Sequence, residues 1–142
     1  MAHRHKRRID WHWLRSIAET SLNESGKFPG KVSVDGKMEW IESGLYHDNY
    51  RFSISGTDLH HEWKEKPLML RVRSQKSPSR SADEAGNCLS REVKTLQHLK
   101  NAGFRVQTPD LICTVKADSD PPRGLCVTWV CGLPLTAYLG GI

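Results

Sequence analysis

A chain of 142 residues is long enough for one domain with a buried core, and 37% hydrophobic with 26% charged residues excludes a disordered composition. The net charge of +5 is unevenly spread, because six of the first eight residues are His3, Arg4, His5, Lys6, Arg7 and Arg8. No apolar run approaches the ~20 residues of a membrane helix, and the basic start runs into Asp10 and Trp11 rather than an apolar signal segment, so the cytoplasm is the expected compartment.

Residues 1–9 read as a basic tail, solvated or available to an anionic surface. Asp10 can cap a helix whose apolar positions include Trp13, Leu14, Ile17, Ala18 and Leu22, and Gly26 stops it. Such an amphipathic helix would lie across a sheet or cap one edge. After Phe28-Pro29-Gly30, Val32 and Val34 alternate with polar residues up to Asp35-Gly36, a hairpin-type turn signal, with Met38, Trp40 and Ile41 continuing on a second strand. A loop over 42–49 precedes Tyr50-Arg51-Phe52-Ser53-Ile54, a strand with clean alternation. The polar stretch from Ser55 to Lys66 turns the chain into Leu68-Met69-Leu70-Arg71-Val72-Arg73.

In that strand Leu68, Leu70 and Val72 point one way and Met69, Arg71 and Arg73 the other. Ser74 to Gly86, rich in Ser and mixed charge, reads as a mobile connection. Between Asn87 and Gly103, Leu89, Val93, Leu96 and Leu99 form one helical stripe. Apolar strands follow at Leu111–Val115 and Leu125–Val130, separated by a turn over 118–124 that contains Pro121-Pro122. The tally is about five strands, three before the long helix and two after. Short connections favour antiparallel pairing, so the expected fold is α+β: a five-stranded antiparallel sheet, one long packed helix and an N-terminal helix.

The four cysteines, Cys88, Cys113, Cys126 and Cys131, give no C-x-x-C and no regular framework. With the adjacent pairs His60-His61 and His3-x-His5 they do not make a patterned metal site, and no metal ligands are assigned. Cys126 and Cys131 read as small hydrophobes in or beside an apolar strand.

One charge is oddly placed. At about 100° per residue Glu92 falls inside the apolar stripe, roughly 45° from its centre. A carboxylate on a buried face needs a cation or several donors opposite it, and Arg71 is the best candidate. The competing reading is a boundary Glu whose stem packs while its head reaches water. A strand cation held by a helix glutamate is the arrangement with which kinase small lobes grip nucleotide phosphates.

From about Glu42 to Leu135 the chain resembles the small lobe of the aminoglycoside phosphotransferase (choline kinase-like) family. Gly44-Leu45-Tyr46-His47-Asp48-Asn49-Tyr50-Arg51-Phe52 resembles the nucleotide loop and second strand, and Leu68-Met69-Leu70-Arg71 the strand ending in a basic residue. Leu89 to Leu99, with Glu92 after Arg91, resembles the family's helix; Phe104 to Leu111, with Pro109, resembles the approach to the fourth strand. Val127-Thr128-Trp129-Val130-Cys131-Gly132-Leu133-Pro134-Leu135 resembles the hinge. The loop has one glycine instead of a G-x-G-x-x-G set, and Arg71 stands where protein kinases have Lys; an arginine stays charged and binds phosphate in a bidentate manner.

The resemblance implies an ATP-binding lobe. Arg71 would contact the α- and β-phosphates, Glu92 would hold it, and Gly44 would let backbone approach the phosphates. Met69 and Val127 would line the adenine slot. Backbone groups of Thr128, Trp129 and Val130 would pair with the base edge, on a strand at the sheet's edge that opens to a cleft. On this reading residues 1–9 are a tail, 10–30 a helix and connection, 31–131 the lobe, and 132–142 the start of a linker. The catalytic and metal-binding aspartates belong to a large lobe, so the isolated chain is expected to be inactive, with magnesium entering only when a large lobe is supplied in trans. The alternative is a non-catalytic module that uses its basic tail, with Trp11, Trp13 and Trp63, on nucleic acid or an acidic partner.

Overall fold

The structure, a computed structural model, describes the backbone of residues 9–41, 47–73, 79–103, 109–115 and 124–129, and their side chains except those of 73 and 79–88. It is α+β, with a five-stranded antiparallel sheet and two α-helices. The elements are α1 (Trp11–Glu24), β1 (Ser33–Ile41), β2 (His47–Ser55), β3 (Leu68–Arg73), α2 (Ser79–Asn101), β4 (Leu111–Val115) and β5 (Gly124–Thr128), with a 3-10 turn at His61–Glu65. The sheet order is β1-β2-β3-β5-β4, and each neighbouring pair is antiparallel.

Asp10 caps α1 as its side chain implies, accepting from the Trp13 N–H at 3.0 Å. The helix ends at Glu24, and Gly26 follows at φ +71°. Its buried stripe is Leu14, Ala18, Ser21 and Leu22. Trp13, expected in that stripe, is 37% exposed and Trp11 is 43% exposed, its ring meeting Tyr50 edge-on at 5.7 Å. Trp63 is not a free aromatic: it is half-buried, edge-on to Phe28 at 5.2 Å.

α1 touches both edge strands, β1 and β4. Its polar side also satisfies the outer edge of β1 and the residues leading into it. Asn23 exchanges two hydrogen bonds with Val32 (3.0 and 2.8 Å), Glu19 accepts from the Val34 N–H at 2.9 Å, and Arg15 donates to the carbonyls of Val34 and Gly36 at 2.6 and 3.0 Å. This part of the edge is thereby withheld from pairing with another strand. The helix therefore packs on the sheet that follows it, as an amphipathic helix ahead of a sheet is expected to.

Two sequence expectations are corrected here. Asp35-Gly36 does not close a hairpin. The chain runs on as one strand, and the register with β2 shifts between Asp35 and Glu39, with Gly36 at φ +70° absorbing the extra residues. The segment expected as a mobile connection up to Gly86 is helical from Ser79, so α2 begins eight residues earlier than Asn87.

Strand parity divides the sheet into two faces. Val34, Met38, Tyr50, Phe52, Ile54, Leu68, Leu70, Val72, Ile112, Val115 and Cys126 form the core beneath α1. On the other side α2 packs on β3, β4 and β5, with Leu89, Leu125 and Val127 buried and Met69, Val93, Leu96 and Leu111 around them. No described helix is long and apolar enough to cross a membrane.

Candidate functional site

The α2 face carries the charge. Arg71 and Met69 alternate with the core residues of β3 and so project toward α2. The Arg71 guanidinium meets Glu92 across the strand–helix interface: Nη1 donates to both carboxylate oxygens at 2.7 Å. The side chains are 28% and 27% exposed, so water is partly excluded from the pair. Glu92 is thus a partnered carboxylate at the edge of the helix stripe, not a snorkelling one.

Asn49 completes the clamp. It lies directly opposite Arg71 in the β2–β3 register, and its Oδ1 accepts from Arg71 Nε at 2.9 Å. Two elements therefore fix one guanidinium, the strand through Nε and the helix through Nη1. Next along the same face Arg51 lies opposite Met69 and forms an ion pair with Glu39 of β1. Its guanidinium also sits 5.3 Å above the Trp129 ring, a cation–π distance. Asn49 and Arg51 were not singled out in the sequence. The alternation that buries Tyr50, Phe52 and Ile54 sends 49 and 51 to the opposite face, so β2 parity with β2–β3 pairing would have found them.

The remaining expected site residues divide. Met69 and Val127 are brought directly opposite each other. Val127, however, is only 1% exposed and packs in the cluster under α2, so it backs the site instead of lining an open slot. Thr128 does not lie on an edge: it ends β5, which runs between β3 and β4, and Trp129 follows the strand. The Thr128 N–H donates to the Asp110 carbonyl at 3.0 Å and the Trp129 N–H to the Pro67 carbonyl at 2.9 Å, while Thr128 Oγ1 accepts from the Asp110 N–H at 2.8 Å. Those two N–H groups are taken up by protein. The expected edge position is overturned for β5, which β3 and β4 flank. Gly44 and Val130 lie outside the described residues.

Two clefts lie elsewhere. One, of about 490 Å³, is lined by Trp11, Arg15, Gly36, Lys37 and Met38; the other lies between the end of α2 and β4, with Lys27, Lys100 and Asp110 on its walls. Neither includes Arg71 or Glu92. Among the described residues no group of three His, Cys, Asp or Glu side chains is placed to hold a metal ion.

Comparison with protein-family profiles, curated proteins and solved structures finds no match to this chain.

Proposed function

We propose that the chain is the nucleotide-binding small lobe of an ATP-dependent small-molecule phosphotransferase, similar to the aminoglycoside phosphotransferase family. The observation that carries this reading is the double grip on Arg71, by Glu92 through Nη1 and by Asn49 through Nε. On this reading Nη2, which has no partner among the described residues, would meet a phosphate oxygen. A permanently charged, pre-oriented donor suits phosphoryl transfer, in which the protein's work is positioning and charge neutralisation. The antiparallel order β1-β2-β3-β5-β4, with α2 between β3 and β4 in the chain, supports the same reading.

Adenine would lie along the row holding Met69, with Arg51 and Trp129 as its neighbours. The pairing of the Thr128 and Trp129 N–H groups limits base recognition to other groups on that row. Nucleotide binding is the activity proposed for this chain.

A second reading has its own support. The spent hinge N–H groups, and the cleft where Trp11 stands beside Arg15 and Lys37, favour a non-catalytic module that engages nucleic acid or an acidic partner together with the basic tail.

Calorimetric titration separates the two. ATP binding should weaken about tenfold or more in Arg71→Ala, the loss of one charge-assisted contact of about 1.5–3 kcal/mol. Deletion of residues 1–8 should leave it unchanged. Loss of anion binding on tail deletion with no effect of Arg71→Ala would assign the function to the tail.

A further inference from the structure

Away from the Arg71 site, two thiols face each other across the strand pair β4–β5. Cys113 is the register partner of Cys126, and both are free. Cys126 is fully buried in the α1-face core and Cys113 is half-buried against it. Directly opposed residues of an antiparallel pair have Cα atoms about 4.5–5.5 Å apart. That lies inside the roughly 4.4–6.8 Å that a disulfide spans. The register shifts between Leu111 and Cys113, and this irregularity brings the two cysteines into opposition. β4 is an edge strand, so closing a bridge displaces backbone with a partner on one side only.

The two thiols are electrostatically unlike. A hydrogen bond from Cys126 holds the Cys113 thiol below the ordinary range; burial opposes this and the Lys27 ammonium adds to it. Lys27 is tied to the same strand, its Nζ donating to the Leu111 carbonyl at 3.0 Å. The hydrogen bond to Cys113, burial and the charge on Cys113 push the Cys126 thiol well up. One sulfur is therefore set up as the nucleophile and the other as its protonated neighbour.

We propose that Cys113 and Cys126 are a reversible redox pair, a cross-strand dithiol that a hydroperoxide converts to a disulfide. The Cys113 thiolate attacks the outer peroxide oxygen. The O–O bond breaks, an S–O bond forms, and the peroxide leaves as an alcohol, or as water from hydrogen peroxide, after taking up a proton. Cys126 then gives up its proton and attacks the Cys113 sulfur; the S–S bond forms and hydroxide leaves as water. Two thiols and one hydroperoxide become one disulfide, one alcohol and one water. A thiol reductant reverses the step by exchange.

The test uses the full chain with Cys88 and Cys131 replaced by Ser, treated with hydrogen peroxide, alkylated and digested with trypsin. Trypsin cuts after Lys116 and Arg123, which separates the two cysteines. The expected product is a crosslinked peptide pair lighter by two hydrogens than its halves and released by dithiothreitol. Cys126→Ser should stop at a sulfenic acid on Cys113 that dimedone captures. Lys27→Met should slow the oxidation several-fold at neutral pH and move its rise to higher pH, since thiolate then forms later. Absence of the crosslink in the folded chain, or its appearance only after unfolding in urea, would overturn the proposal. So would an oxidation rate and pH profile left untouched by Lys27→Met.

Discussion

The two faces of the sheet are built from alternate residues of the same strands, yet they do different work. Beneath α1 the row Tyr50, Phe52, Ile54, Leu68, Leu70 and Val72 is buried and apolar, closed by Leu14, Ala18 and Leu22. Toward α2 the intervening residues include Asn49, Arg51 and Arg71, with Arg71 bound to Glu92 and Asn49, and Arg51 to Glu39. The larger apolar core lies on the α1 face, while the α2 face combines a smaller buried cluster of Leu89, Leu125 and Val127 with this charged row. A strand with period-two alternation permits this division because neither face can slip without exposing the first.

Adjacent residues of β3 give the sharpest way to break that contrast. Leu70→Ala, at 0% exposure, should cost about 2–5 kcal/mol in urea unfolding, whereas Met69→Ala, half-buried on the other face, should cost about 1 kcal/mol. Equal losses would show that the faces contribute alike. Gly124→Ala comes next. A Cβ there would stand 2.6 Å from the Arg71 carbonyl oxygen and 3.0 Å from Val72 Cγ1, so the β3 backbone must shift. The expected cost is about 1–3 kcal/mol, and nucleotide binding should weaken with it because the shift reaches Arg71. An alanine variant with unchanged stability would mean that β5 yields instead.

Glu92→Gln is expected to show the smallest stability effect, about 1 kcal/mol or less, since the pair is partly solvated. It should still reduce ATP affinity severalfold by loosening the guanidinium. A loss of several kcal/mol without any change in binding would make the pair a structural device.

Much of this was legible in the sequence, and each miss has a physical cause. Glu92 inside an apolar stripe called for a cation, and the alternation of β3 supplied Arg71; both links hold in the fold. The early start of α2 escaped because Ser79 to Gly86 carries no apolar period, although Arg80, Ala82, Glu84 and Ala85 have good helix propensity. Asp35-Gly36 signals a reversal or a bulge equally, and the pairing of β1 with β2 on both sides of it decided for the bulge. The placement of β5 was readable and misread. Leu125, Cys126 and Val127 are consecutive apolar residues, the mark of a strand buried on both faces. Such a strand belongs inside a sheet, where β3 and β4 flank it. Strand parity also held the answer for Asn49 and Arg51, which needed only the register between β2 and β3.

The most direct test of the division between faces, and of Arg71 as the phosphate-gripping residue, is a chemical-shift map of the backbone amide and indole N–H groups of the full chain titrated with ATP. Shifts should gather on Asn49, Arg51, Met69, Arg71, Glu92 and the Trp129 indole, and leave Leu14, Leu22, Phe52 and Ile112 unmoved. Arg71→Ala should abolish the pattern while the spectrum stays folded. Shifts gathered at Trp11, Arg15 and Lys37, persisting in Arg71→Ala, would contradict the account.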